Sequence, residues 1–325
     1  NGAALAEIAR RPLFREQQAE GALGVPTHRP AERLPERGVR LEALPVRRVR
    51  EHVVRTLESQ RSEGRLREMR LRPGPLGVAA RDGDRAERNA GQLRSLVAES
   101  QERLDEMDAS YFSDALPRNE MWRLYAEFRD RAAFVDIETT GLSPDSSDIT
   151  MVGVLDFQGY RAFVQDENME DLRGALEEYD LLVTFNGAAF DLPFIEHKLG
   201  RMFAQVAHID LMFPLRRMGL TGGLKAIEKR LKVGRPSALS TLNGFDAVLM
   251  WRMWRNGDKA ARDTLVRYNA EDVLSLPKIA EIVYDGLTDR LDVPCAKLEP
   301  SDVPDVTLPF DEGVIERLAE MKVRR

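Results

Sequence analysis

Two acidic side chains, two residues apart, mark the first place in the chain where a metal ion could be bound. They are Asp136 and Glu138, in the tetrapeptide Val135-Asp136-Ile137-Glu138. On a β-strand, residues two apart project from one face, so these acids form a carboxylate pair while their apolar neighbours face the opposite side. Acids in an apolar strand are costly to bury unless a metal ion or hydrogen bonds compensate. The pattern predicts either a carboxylate site or an exposed edge strand with a solvated acid pair.

Two later segments each contribute another acid. The strand-like run Leu182-Val183-Thr184-Phe185-Asn186-Gly187 leads to Asp191, which stands where a helix is predicted to begin. Asp is also a preferred helix cap, so capping explains this residue as well as chemistry does. In the third segment, Tyr268 and Asp272 are four residues apart. That spacing puts both on one helix face, although a buried tyrosine bonded to its neighbour would need no function.

Alternating strands and helices from residue 132 onward predict an α/β domain with a mixed sheet. Gly222-Gly223 opens one of the later helices, and Asn256-Gly257 separates two others. Asp210 is interpreted as an ordinary helix-start acid, with a place beside the carboxylates as the alternative. The predicted elements are a strand at 132–138, a hairpin of 149–157 and 160–166 around Gln158-Gly159, a helix at 169–179, a strand at 181–187, a helix from 191, a strand at 208–212 and helices beyond it.

Residues 1–105 differ in composition from the rest of the chain. Residues 1–100 hold 20 arginines, no lysine and 14 acids, whereas the whole chain has a net charge of -6. Proline and glycine interrupt this region, which is predicted to be poorly ordered apart from helices at 46–69 and 89–108. It is interpreted as a solvated linker or as a docking segment for a protein partner, with an arm for nucleic acid as the alternative. We predict three parts: this region, a domain at 106–290 and a proline-containing tail at 291–325 with a short helix from Asp311.

Composition excludes several classes of protein. The single cysteine, Cys295, permits no disulfide framework, and four dispersed histidines lack the ligand spacing of a structural zinc site. The sequence has no apolar run of membrane-spanning length and no secretory leader pattern at its start, so a cytoplasmic protein without membrane contact is expected. Gly222-Gly223-Leu224-Lys225 lacks the spacing of a P-loop, which argues against ATP hydrolysis. Trp251 and Trp254, at helical spacing, are predicted to belong to the core.

The order and spacing of the three acidic segments resemble one known family. Asp-x-Glu, Asn-x-x-x-Phe-Asp and Tyr-x-x-x-Asp follow one another as in the DEDD superfamily of 3′-to-5′ exonucleases. The resemblance is closer to its bacterial YprB-like branch, and it covers roughly Tyr111 to Leu287. It implies an RNase H-like fold, a mixed β-sheet flanked by helices. The runs that carry it are FVDIETTGL, TFNGAAFDLPFI, GGLKAIEKRL and RYNAEDVLSL.

The resemblance also implies roles for individual residues. Two divalent cations, Mg²⁺ or Mn²⁺, would be held by the four acids Asp136, Glu138, Asp191 and Asp272. Tyr268 would orient the attacking water, because Arg267 stands where the family's other variant has a histidine. The terminal nucleotide would meet the loop after the first strand, with Leu142 against its base. The residues implied or considered for substrate contact are Thr139, Thr140, Gly141, Leu142, Asn186 and Phe190, together with Lys225 from a basic run that also contains Lys229, Arg230, Lys232 and Arg235.

The expected activity is hydrolysis of phosphodiester bonds at the 3′ ends of single-stranded DNA or RNA. An acidic chain would normally argue against nucleic acid, whose affinity comes from neutralised phosphates. Carboxylates that hold divalent cations reverse that argument locally. Two alternatives stay open: a structure-specific endonuclease, and a nucleic-acid-binding or scaffold protein of the same fold without turnover.

Overall fold

A computed structural model describes residues 79–234, 237–291, 295–301, 304 and 306–323, with side chains from residue 90 onward apart from Ser237. The helix predicted at 46–69 and most of the Arg-rich region lie outside the described residues. The helix predicted at 89–108 is seen as part of a longer one, α1, at Ala79–Asp105. The predicted division of the chain into three parts stays a prediction.

The centre of the domain is a mixed sheet of five strands, β1 Ala132–Thr139, β2 Ile149–Asp156, β3 Gly159–Val164, β4 Leu181–Thr184 and β5 Ala207–Asp210. Their order in the sheet is β3-β2-β1-β4-β5. β1 pairs antiparallel with β2, which forms the predicted hairpin with β3, and parallel with β4, which in turn pairs parallel with β5. β1 therefore lies in the middle, which rules out the alternative of an exposed edge strand.

Helices surround the sheet. The predicted helix at 169–179 is shorter, a 3₁₀ turn at Met169–Asp171 followed by α4. The predicted boundaries are confirmed: Gly223 precedes the helix Leu224–Leu231, and Asn256-Gly257 separates the helix Gly244–Arg255 from the helix Lys259–Leu274. The remaining helices are α2 Ala109–Ala115, α3 Tyr125–Phe128, α4 Leu172–Leu176, α5 Asp191–Leu199, α6 Met212–Arg217, α7 Leu224–Leu231, α8 Ser237–Ser240, α9 Gly244–Arg255, α10 Lys259–Leu274, α11 Leu276–Thr288 and α12 Glu312–Val323, with further 3₁₀ segments at Arg118–Leu124 and Arg129–Arg131.

The alternation of side chains along β1 separates two hydrophobic cores. Ala132 and Phe134 join one buried cluster, and Ala133, Val135 and Ile137 join the other. Asp136 and Glu138 continue the first set along the strand, as the period of two requires. The acids therefore lie at the carboxyl end of the central strand.

A third apolar cluster supports α9 and α10. Trp251 is 6% exposed and packs edge-on against Trp254 at a centroid distance of 4.8 Å. Trp251 belongs to this cluster, as predicted, and Trp254 is partly buried and packs against it. No helix in the described part of the chain combines the length and the apolar character needed to cross a membrane.

Candidate metal centre

Three of the predicted acids meet at the carboxyl end of β1. Asp136 and Glu138 come from the strand, and Asp272 comes from the last turn of α10. One carboxylate oxygen of each lies within 4.8 Å of the others. Glu138 and Asp272 are buried, at 7% and 8% exposure. Residues separated by more than 130 positions are thus brought into one group of oxygens of the size that a single hard cation can bridge.

Asp191 lies beside this group but is not one of the three. It is the first residue of α5, whose cap position is occupied by Phe190 and has no side-chain cap bond. The carboxylate Oδ1 instead accepts a hydrogen bond from the Ile137 N–H of β1 at 3.1 Å. Helix capping, one of the two explanations of Asp191, therefore fails. Its role as a fourth metal ligand stays a prediction.

Burial and crowding make the charged form of these acids unfavourable. Burial raises the pKa of Glu138 well above its usual range, and the neighbouring Asp272 carboxylate raises it further. Burial also raises the pKa of Asp191 to about 7, with smaller contributions from Asp210 and Asp272. A divalent cation would offset both the desolvation and the mutual repulsion. An all-oxygen donor set of this kind fits Mg²⁺ or Mn²⁺ better than zinc.

Tyr268 lies one turn before Asp272 on α10 and is 4% exposed. Its hydroxyl accepts a hydrogen bond from Lys225 Nζ at 3.3 Å, and the same ammonium lies 4.6 Å from the ring centroid. Lys225 also donates to the Leu242 carbonyl and lowers the pKa of Glu138. Lys225 therefore reaches the site from α7. Of the other basic residues on this run, Lys229, Arg230 and Lys232 are exposed, and Arg235 lies outside the described residues.

The loop after β1 leaves an apolar side chain open to solvent. Thr139 Oγ1 donates to the Gly141 carbonyl at 2.6 Å, and Thr140 Oγ1 accepts from the Asp148 N–H at 2.9 Å. These bonds fix the loop from within. Leu142 at its tip is 58% exposed. Leu142 follows the strand that carries Asp136 and Glu138, and its exposed side chain is available for contact with a ligand.

Asp210 holds the segment that precedes Asp191. Its carboxylate is 4% exposed and accepts from the N–H groups of Asn186 at 2.8 Å, Ala188 at 3.1 Å and Met212 at 3.0 Å. The interpretation as a helix-start acid is therefore incomplete, since only the bond to Met212 serves α6. Asn186 adopts a φ of 69°, a left-handed conformation that this bonding helps to maintain. Phe190 packs against Phe194 at a centroid distance of 5.5 Å.

Asn269 is the site residue that the sequence did not identify. It is fully buried on α10 between the predicted Tyr268 and Asp272, and its Nδ2 donates to Asp136 Oδ2 at 3.0 Å. The feature of the sequence that could have identified it is the presence of an asparagine, a weak helix former, in the middle of a predicted helix.

His208 lies on the edge strand β5, which also carries Asp210, and it gives the stability of the domain a pH dependence. Its Nε2 lies 2.9 Å from Thr184 Oγ1, and burial lowers its pKa to about 4. The unfolded chain takes up this proton at about 6.5. The stability linked to His208 is therefore complete above pH 6.5 and is lost as the pH falls toward 4.

We expect urea unfolding of the wild type to lose more stability between pH 7.5 and pH 5 than unfolding of His208→Gln. The difference should be on the order of 1–2 kcal/mol, from the shift between unfolded and folded pKa. Equal losses in both proteins would show that His208 does not titrate in this way.

Residues 133–284 match the model of the RNase H superfamily. The match covers β1 through most of α11, the part that contains the sheet and all four acids. The domain has an RNase H-like fold. No curated protein matches the chain in sequence.

Solved structures similar to the RNase H-like domain include three with low sequence identity. A family B DNA polymerase from the archaeon Pyrobaculum calidifontis is 19% identical over 45% of this chain and 24% of its own, with a TM-score of 0.37. NrnC of Brucella melitensis with bound Mg²⁺ is 19% identical over 54% and 79%, with a TM-score of 0.36. An apo form of a nuclease is 16% identical over 64% and 87%, with a TM-score of 0.39. The chain thus matches about a quarter of the polymerase.

Proposed function

We propose that this chain is a metal-dependent 3′-to-5′ exonuclease acting on single-stranded nucleic acid. The observation that carries the proposal is the group formed by Asp136, Glu138 and Asp272, whose oxygens lie within 4.8 Å of one another. The match of residues 133–284 to the RNase H superfamily and the order of the acidic motifs also support it. The 3′-to-5′ direction is inferred from the resemblance of those motifs to the DEDD exonucleases.

The three grouped acids and Asp191 would hold two Mg²⁺ or Mn²⁺ ions. Bound there, such ions would acidify the attacking water and neutralise the charge that develops on the departing 3′ oxygen. Hydrolysis forms a bond from the water oxygen to phosphorus and breaks the bond to the 3′ oxygen, which releases a nucleoside 5′-monophosphate. The other side chains of the site would position the attacking water and the strand.

Tyr268 suits positioning better than proton removal. A free tyrosine has a pKa of about 10, so a neutral hydroxyl is a weak base. Its hydroxyl accepts a hydrogen bond from Lys225 at 3.3 Å, and this bond holds the phenol oxygen in place. In this proposal Tyr268 and Lys225 act as a pair, with Lys225 fixing the tyrosine and contributing positive charge near the scissile phosphate.

The loop from Thr139 to Leu142 would contact the terminal nucleotide. Leu142 is exposed and can pack on a base face, which requires no particular base. We therefore propose low sequence specificity. DNA and RNA both meet these requirements.

The test is a 5′-labelled single strand incubated with the full chain and Mn²⁺ or Mg²⁺. We expect a ladder of products shortened from the 3′ end one nucleotide at a time, and no cleavage after chelation. A circular single strand should stay intact, because an exonuclease has no end from which to begin. Cutting of the circle would favour the endonuclease alternative, and binding without any cleavage would favour the non-catalytic one.

A further inference from the structure

Asn269 lies at the centre of a buried hydrogen-bond network around Asp136. Its side-chain Nδ2 donates to Asp136 Oδ2 at 3.0 Å and lies 3.5 Å from the Asp136 carbonyl oxygen. The amide Oδ1 accepts a hydrogen bond from the Tyr160 hydroxyl of β3 at 2.9 Å. Both ends of the fully buried amide are therefore engaged, one by the strand pair β2–β3 and one by the carboxylate site.

Tyr160 and Asp136 together determine which way the amide points. An amide oxygen and nitrogen are distinguished only by their partners. Burial raises the pKa of Tyr160 well above its usual value, and the nearby acids Glu138 and Asp136 raise it further, so this hydroxyl keeps its proton to donate. With Oδ1 bound to that donor, the NH₂ group is directed at Asp136.

Gly153 on β2 leaves the space for this arrangement. It pairs with Asp136 in the register of β1 and β2. A Cβ at Gly153 would lie 1.9 Å from Asn269 Oδ1, far inside van der Waals contact. The residue opposite Asp136 in the neighbouring strand therefore has no side chain, and Asn269 occupies the position one would fill.

We propose that Asn269 is a positioning residue for the metal site: it fixes the Asp136 carboxylate through one oxygen so that the other can be presented to a cation. The inference rests on the proposed function insofar as this site binds the working metal. Tyr160 and Gly153 act through Asn269, the first by orienting its amide and the second by admitting it. Removing the amide takes away the hydrogen bond that holds Asp136 Oδ2, which weakens metal binding without altering the number of acids.

Direct metal binding separates this role from a structural one. Mn²⁺ binding to the full chain would be measured by isothermal titration calorimetry for the wild type and for Asn269→Ala. We expect Asn269→Ala to weaken binding by roughly 10- to 100-fold, as loss of groups that orient metal ligands does elsewhere. Tyr160→Phe, which keeps the ring and removes only the donor, should weaken it in the same direction by a smaller factor.

Asn168 provides a matched control. Its side chain accepts from the Val164 N–H at 2.8 Å and donates to the Ala162 carbonyl at 3.0 Å. Asn168→Ala therefore also removes two hydrogen bonds of an asparagine, but neither of them involves a carboxylate. We expect it to lower thermal stability while leaving Mn²⁺ affinity unchanged.

Activity gives an independent readout. We expect Asn269→Ala to lower kcat at a fixed Mn²⁺ concentration, to leave KM for the strand unchanged and to recover partly as Mn²⁺ is increased. If the two alanine variants bind Mn²⁺ with equal affinity, the positioning role is wrong even when the wild type is an active exonuclease. If the wild type binds Mn²⁺ and Asn269→Ala selectively weakens binding but no strand is shortened, the positioning role stands and the exonuclease proposal fails.

Discussion

Asp272→Asn is expected to reduce strand hydrolysis roughly a thousandfold or more while leaving the fold intact. A bound divalent cation stabilises the transition state by several kcal/mol, and each 1.36 kcal/mol corresponds to a factor of ten in rate. The substitution keeps the size of the side chain but removes one of the three grouped carboxylates. The measurement is the single-turnover rate on the 5′-labelled strand at saturating Mn²⁺.

The same substitution should not destabilise the metal-free protein. In the wild type, burial and the Asp272 charge both raise the pKa of Glu138. Removing that charge relieves repulsion between buried acids, so in chelator at pH 8 the variant should melt at the same temperature as the wild type or above it. Asp263→Asn is the control, because Asp263 is an exposed acid on the same helix. A variant that melts well below the wild type in chelator would show that Asp272 has a structural role instead.

Asp210→Ala is expected to lower the free energy of unfolding by about 3 kcal/mol or more and to abolish activity together with it. Its carboxylate accepts from three backbone N–H groups in a buried environment. Leaving a buried donor unsatisfied costs about 1–3 kcal/mol. Two of those donors lie in the segment that leads to Asp191, so its conformation should be lost with them. Urea unfolding at pH 7.5 measures the effect.

Asp258→Ala is the comparison for that loss. Asp258 accepts from the Ala261 N–H at the start of α10 and pairs with Arg317 at the surface. Loss of a helix cap costs about 1 kcal/mol. If the two variants unfold at similar urea concentrations, Asp210 is an ordinary capping residue and the inference of a buried scaffold for the Asn186–Asp191 segment fails.

Local sequence pattern correctly predicted the features that depend only on residues close together in the chain. The period of two placed Asp136 and Glu138 on one face of β1, and the spacing of four placed Tyr268 and Asp272 on one face of α10. Glycine and asparagine also marked helix boundaries correctly around α7 and α10. The helix predicted at 169–179 was too long: it ends at Leu176, and the Tyr179 hydroxyl beyond it bonds to Asp156 of β2.

Tertiary structure decided what no local period specifies. Asp191 has an ordinary position for a helix cap, yet its carboxylate bonds to β1 more than fifty residues away. Asp210 resembled a helix-start acid because its partners at Asn186 and Ala188 are distant in sequence. The roles of Asn269 and Gly153 follow only from the packing of α10 against β2, which brings the Asn269 side chain against the Gly153 backbone.

Sequence and tertiary structure therefore determine different properties of the paired acids of β1. The sequence by itself determined which residues can ligate a cation and that two of them share a face, because strand and helix geometry repeat over a few residues. Only the tertiary structure placed Asp272 against that pair and linked Asp136 through Asn269 to Tyr160, because burial and long-range hydrogen bonds set the charge and orientation of a carboxylate.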